Sequence, residues 1–206
     1  MASLYDRWIL PKLLSCACSS PAIMKQREKI VPKAEGRVLE LGIGMGLNLA
    51  LYDAAKVSEV IGVEPAAELR AAAEGAPRDP RLSVRVENGT AEALPFEDRS
   101  FDTVVCTFTL CSVCTPTAAL SEARRVLKPG GRFLFCEHGL APDPDVAKWQ
   151  RRIEPIWKRI AGGCHLTRPV TSAIEAAGFK VEGLETMYLP KAPRIAGWNE
   201  WGAARP

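Results

Sequence analysis

Four residues at alternate positions, Glu40, Gly42, Gly44 and Gly46, follow the apolar pair Val38-Leu39 and punctuate its continuation through Leu41 and Ile43. A second apolar run, Val60-Ile61-Gly62-Val63, ends in another acid, Glu64. Glycines at that spacing let a backbone turn tightly and approach a ligand closely, and an acid ending the next strand is placed to accept ribose hydroxyls. The unit reads as strand, glycine loop, helix, strand and acid, a form that holds a nucleoside. A dinucleotide site would carry Gly-x-Gly-x-x-Gly, with a helix N-terminus facing a pyrophosphate. Here the third glycine comes one residue early, position 47 is Leu, and Glu40 stands two residues before the first glycine. A carboxylate there repels a pyrophosphate and suits a cation.

Two histidines and seven cysteines are the other side chains with reactive potential. His138 follows the apolar run Phe133 to Cys136, which places it at the carboxyl edge, where open α/β sheets bind ligands. It is a candidate general base; the plainer reading is a hydrogen-bonding residue that ends a strand. His165, in Gly162-Gly163-Cys164-His165, reads first as a loop-fixing residue and second as a pocket residue. Cys106 and Cys136 sit in apolar runs, where cysteine is usually a small buried hydrophobe. Cys16-x-Cys18, Cys111-x-x-Cys114 and Cys164-His165 offer soft donors to zinc or arsenite. One CxC and one CxxC, far apart, fall short of a zinc signature, so the expectation is no metal and buried or incidental thiols.

The elements that must position these groups can be read from periodicity and punctuation. Residues 3–19 and 21–31 have helical spacing, with Pro21 in a first turn where proline is tolerated. Strands are expected at 36–41, 58–63, 82–86, 101–108 and 132–137. Helices are expected at 46–54, 66–75, 116–127, 143–161 and 169–177, the one at 116–127 stopped by Lys128-Pro129-Gly130-Gly131. In 143–161 one face carries Trp149, Ile153, Ile156, Trp157 and Ile160, expected to pack. Two closing strands are expected near 179–188 and 194–201. Alternating β and α with a final hairpin predicts an α/β fold: a seven-stranded, mainly parallel sheet with an antiparallel C-terminal hairpin and helices on both faces.

A chain of 206 residues fits one domain with an adequate core. Its expected parts are an N-terminal helical cap at 1–35, a nucleoside-binding core at 36–138, and acceptor-side helices with closing strands at 139–206. The net charge of +3 comes from interspersed acids and bases, which argues against a nucleic-acid partner. No run of 18 apolar residues predicts an integral membrane segment, and residues 1–9 lack a signal-peptide apolar region. A reduced, cytoplasmic setting is expected.

As a set, four segments resemble the type 11 class I S-adenosylmethionine (SAM)-dependent methyltransferases, which have a Rossmann-like fold. They are Leu39 to Gly46, Val63-Glu64-Pro65, Ala91 to Phe96 with Ser100-Phe101-Asp102, and Arg125 to Gly131. Phe135-Cys136-Glu137-His138-Gly139 and Gly162 to Arg168 resemble a narrower subgroup, the alkyl thiol methyltransferases and their soluble bacterial relatives. Animal members of that subgroup carry an N-terminal membrane anchor, which is not expected here; peripheral membrane contact through the first helix stays open.

The resemblance implies SAM as cofactor and a small-molecule acceptor. It implies that Glu40, Gly42 and Gly44 line the methionine part, that Gly46 and Asn48 also bind the cofactor, that Glu64 takes the ribose hydroxyls, and that Pro65 packs on adenine. Thr90 and Ala91 stand where relatives commonly have Asp-Ala beside the adenine amine, and Glu92 follows. Thr107 ends the fourth strand, where main chain meets the cofactor. Tyr5 and Trp8 are candidates for the inner face of a lid helix, Tyr5 toward the cofactor. Cys111-Ser112 replaces the His-His of many relatives, which excludes a His-based site there. Cys106-Thr107-Phe108-Thr109 lacks the Asn/Asp-Pro-Pro-Tyr of nucleic-acid amino-methyltransferases. S-methylation of a small thiol or sulfide leads, with His138 and His165 as catalytic candidates. The alternatives are O- or N-methylation of a quinone, lipid or natural product, arsenite methylation, and a non-catalytic SAM-binding protein.

Overall fold

The computed structural model describes residues 18–206. Tyr5, Trp8 and Cys16, with nearly all of the helix expected at 3–19, lie outside the described residues. Seven strands, β1 (Gly36–Leu41), β2 (Val57–Val63), β3 (Val84–Glu87), β4 (Phe101–Thr107), β5 (Leu127–His138), β6 (Lys180–Tyr188) and β7 (Trp198–Arg205), form one sheet in the order β3-β2-β1-β4-β5-β7-β6. The first five pair in parallel, and β7 runs antiparallel to both β5 and β6. The helices are α1 (Pro21–Arg27), α2 (Ala67–Glu74), α3 (Pro116–Val126), α4 (Pro144–Ile160), α5 (Val170–Ala176) and the single turn α6 (Arg194–Gly197). No helix among the described residues is long and apolar enough to cross a membrane.

The central strands β1, β2 and β4 are buried on both faces, which is why they are apolar almost throughout. Leu39, Leu41, Ile61, Val63, Phe133 and Phe135 pack beneath α3 and α5. Val38, Val60, Val105 and Leu134 face the other way, against Ile30, Val31, Leu49, Tyr52 and Trp201. The strand order reverses between β1 and β4. The crevice at the carboxyl ends of those two strands is where an open α/β sheet takes a ligand.

Four expectations need correction. Residues 46–54 form no α-helix, only the 3-10 turn Leu49–Leu51. Gly46 has φ +76°, outside the helical region, and Asn48 and Tyr52 turn their side chains inward to Glu40. Lys128-Pro129-Gly130-Gly131 does not separate helix from strand. It lies within the span of β5, at a register break where Phe101 pairs with Leu127 but Thr103 with Arg132. The last strand begins at Trp198, because Arg194–Gly197 coil into α6. The apolar face of α4 packs only in part: Ile153 and Trp157 are half-buried, while Trp149, Ile156 and Ile160 are 55%, 65% and 51% exposed. The helix is turned by polar ties instead. Buried Gln150 receives Ala141 N–H and donates to the carbonyls of Gly139 and Ile195.

Gly62 shows how tightly the edge is packed. A Cβ at that position of β2 would lie 2.4 Å from Ile43 Cδ1 and 2.7 Å from Ile43 Cβ. Gly62→Ala should lower unfolding stability by about 1–3 kcal/mol, read from the urea midpoint. An unchanged midpoint would contradict this contact.

Candidate functional site

The glycine loop is closed at both ends and open in the middle. Gly42, Gly44 and Gly46 all have positive φ, at 62°, 56° and 76°. A Cβ on Gly42 would strike Thr109 Cγ2 at 2.6 Å, and one on Gly46 would strike Ala76 Cβ at 2.8 Å. A Cβ on Gly44 would meet nothing nearer than Gly42 O at 3.9 Å. The loop therefore presents bare backbone to open space at Gly44. Gly44 N–H donates to Glu64 Oε2 (3.2 Å), and Ala66 N–H donates to Glu64 Oε1 (3.0 Å). Arg70 holds the same corner by donating to the carbonyls of Glu64 and Pro65 and to Asn88 Oδ1.

Behind the loop lies a buried polar cluster. Glu40 Oε1 accepts from Asn48 Nδ2 (2.8 Å), and Oε2 accepts from the Tyr52 hydroxyl (2.7 Å). Asn48 Nδ2 also donates to Thr107 Oγ1 (2.9 Å). Arg27, at the end of α1, donates through Nη1 to Asn48 Oδ1 (2.9 Å) and Thr107 Oγ1 (2.5 Å), with its guanidinium over the Phe108 ring. Its Nε is buried without a hydrogen-bond partner. Burial pushes the Glu40 carboxyl up to about 7, against the opposing effects of the Tyr52 hydroxyl, Arg27 and Asn48. Arg27 and Tyr52 were invisible to motif reading, because neither belongs to the glycine motif. The only sequence signal was a charged residue on an otherwise covering helix.

Beyond β2 and β3, Pro65 and Thr90 are exposed and Ala91 is buried. Glu92 already has partners: its Oε1 accepts from Cys114 N–H (2.8 Å) and Thr115 N–H (3.4 Å), at the start of α3.

The turn after β4 is held by a second buried carboxylate. Glu137 Oε1 accepts from Thr109 N–H (2.8 Å), Leu110 N–H (3.1 Å) and Cys106 Sγ (3.4 Å), while Oε2 is buried without a partner. Burial raises the pKa of Glu137 despite the two backbone bonds. These ties hold Phe108 at φ +52°, a strained value for an aromatic residue. Beyond the turn, His138 Nε2 lies 3.0 Å from Cys164 Sγ, and Trp157 Nε1–H donates to the same sulfur at 3.5 Å. The neighbouring Cys111 thiol and burial push the Cys164 thiol above its ordinary range. His165 points elsewhere: its Nδ1 meets Glu154 Oε1 at 2.9 Å, and Thr167 N–H donates to Glu154 Oε2. Of the two candidate histidines, His138 faces the edge cluster and His165 ties its loop to α4. Cys114 is exposed and takes no part in the cluster.

A nucleoside with a cationic amino-acid tail fits these residues. Glu64 and bare Gly44 flank the open space, and Glu40 lies behind it. Comparison with known proteins agrees. Residues 39–135 match the methyltransferase-domain family. Thiol S-methyltransferase TMT1B of Rattus norvegicus is 38% identical over 172 residues, covering 79% of this chain and 70% of its own. A demethylmenaquinone methyltransferase of Clavibacter sepedonicus is 33% identical over 198 residues, covering 96% and 76%. A chain from the Haloferax volcanii complex between the Trm112 methyltransferase activator and a methyltransferase superposes with a TM-score of 0.71. It is 19% identical and covers 100% of this chain and 98% of its own, a likeness of fold alone.

Glu40 should leave a signature in stability. Its folded pKa of about 7 stands above the ordinary 4.5, so the folded chain keeps a proton that the unfolded chain releases. This contribution is complete below pH 4.5 and is lost as pH rises through 7. Between pH 5 and 8 the unliganded protein should lose about 2–3 kcal/mol through this group. Glu40→Gln should remove that component, read as the difference between the two stability–pH curves from urea unfolding. Parallel curves would contradict the assignment.

Proposed function

This chain belongs to the methyltransferase-domain family of SAM-dependent enzymes, and on that premise we propose that it transfers the cofactor's methyl group to the sulfur of a small thiol. The likeness to the thiol S-methyltransferases, over most of both chains, carries the reading. The chemistry at the edge supports it. A thiol has a pKa of about 8.5, so a fraction is already thiolate at neutral pH and a weak base suffices. His138 is the imidazole at that edge, and no stronger base is required of the turn after β4.

In this reading the cofactor supplies a methyl group on a sulfonium, open to in-line displacement. The chain's own residues bind and orient. Glu64 accepts the ribose hydroxyls, Pro65 and Ala91 flank the adenine, and the backbone at Gly42 and Gly44 follows the methionine part. Thr107 closes the far side. Glu40 balances the cationic charge, and Arg27 holds Asn48 and Thr107 in place behind the loop. Glu92 contributes by fixing the start of α3. His165 holds the acceptor-side loop through Glu154. A cytoplasmic setting and a small-molecule partner belong to the same proposal.

A second reading is methylation of a quinol. The demethylmenaquinone methyltransferase of Clavibacter sepedonicus aligns with 96% of this chain, more than the thiol enzymes do.

The test is S-adenosylhomocysteine formation from SAM across hydrogen sulfide, alkyl and aryl thiols, arsenite, catechols and quinols. Turnover confined to thiols is the expected result. Silence on every thiol with turnover on quinols would overturn the first reading in favour of the second.

A further inference from the structure

Beside the cofactor crevice, three soft donors converge that no step above requires together. Cys111 lies in the turn after β4, His138 ends β5, and Cys164 follows α4. One ligand atom from each, two thiol sulfurs and an imidazole nitrogen, all lie within 4.8 Å of one another. Zinc in a tetrahedral site has Zn–S of about 2.3 Å and Zn–N of about 2.0 Å, so its donors stand roughly 3.5–3.8 Å apart. The group reaches that spacing with shifts of about an ångström or less.

Each donor is fixed by ties of its own. The Cys111 carbonyl accepts from His165 N–H (2.8 Å), which joins its turn to the loop that carries Cys164. Glu154 clamps that loop through His165 and Thr167, and Glu137 pins Leu110. The Trp157 N–H directed at Cys164 Sγ is an outer hydrogen bond of the kind that orients metal ligands. Charge also closes: two thiolates and a neutral imidazole around a divalent ion are neutral, as a partly buried site needs. Among the described residues the group has three members, and two Cys with one His is a set known from catalytic zinc sites that keep an open fourth position. His138 and Cys164 are only half-buried, which leaves that position an approach.

We propose that Cys111, His138 and Cys164 bind a zinc ion whose open position takes the sulfur of the acceptor thiol. The acceptor half of this proposal rests on the thiol reading above, with His138 serving as a ligand and the metal, in place of His138 as base, activating the thiol. On binding, the acceptor S–H bond breaks and its proton leaves to solvent. The sulfur then forms the new S–CH3 bond while the CH3–S bond of the sulfonium breaks, its electron pair staying on the sulfur of S-adenosylhomocysteine. The product is a neutral thioether, a poorer zinc ligand than a thiolate, and it departs. No oxidant or reductant is consumed.

The test uses the full chain, purified under reducing conditions, stripped of metal and titrated with Co(II), then Zn(II). The expected result is one equivalent of Co(II) with thiolate-to-cobalt charge-transfer absorption and the intense visible bands of a tetrahedral ion, displaced by Zn(II). Adding benzenethiol should shift the visible bands. Cys111→Ser and Cys164→Ser, near-isosteric and checked for folding by circular dichroism, should each weaken binding at least 100-fold, while Cys114→Ser changes nothing. No charge-transfer band in the wild type, or a band that survives in the Cys111→Ser/Cys164→Ser double variant, overturns the site. Thiol turnover is measured separately on the stripped and zinc-loaded chain. Thiol methylation that is indifferent to metal and to the double variant leaves the thiol reading standing and removes this proposal. A bound metal with no thiol turnover keeps the metal site and removes its acceptor role.

Discussion

A carboxylate buried at the end of a β-strand must be supplied with donors, because leaving its charge unpaired in the interior is costly. Three such groups organise this sheet's carboxyl edge. Glu40, at the end of β1, draws in Asn48 and Tyr52. Glu64, just beyond β2, draws in the N–H groups of Gly44 and Ala66. Glu137, near the end of β5, draws in the N–H groups of Thr109 and Leu110. Each acid fixes a loop by the donors it draws in, and those loops are the walls of the crevice. Packing elsewhere supports this arrangement: the apolar layers on the two sheet faces keep the strand ends in register.

The same constraint connects the fold to chemistry. Glu40 combines a pKa raised to about 7 by burial with a nearby guanidinium whose Nε is buried without a partner among the described residues. The glycine loop answers with bare backbone at Gly44, where a side chain would occupy the space a ligand needs. The pinned turn after β4 brings Cys111 toward His138 and Cys164.

Much of this was legible in the sequence. The strands through Leu41, Val63 and Thr107 announced themselves by apolar runs buried on both faces, and Glu64 was placed correctly by its position after the second run. The glycine spacing identified the loop, but it could not show that Gly46 would end helical geometry or that Asn48 and Tyr52 would turn inward. That outcome depends on Glu40 needing donors in three dimensions. The apolar spacing on α4 predicted a packed face, whereas Gln150 and Glu154 set the helix's rotation through hydrogen bonds that periodicity does not register. Cys111 and Cys164 come together from separate loops, with His138 between them in the chain, so their proximity cannot be read from spacing. Arg27 escaped notice for the same reason, since its partners Asn48 and Thr107 are remote in sequence.

The central claim is that the cationic end of the cofactor settles against Glu40, and proton exchange on binding tests it most directly. SAM should be titrated calorimetrically at pH 7 in buffers of different ionisation enthalpy. With a free-state pKa of about 7, Glu40 is part-protonated before binding and is driven to its ionised form by the arriving positive charge. The account predicts release of up to about half a proton from the wild type and close to none from Glu40→Gln. Equal proton exchange in the two proteins would contradict it.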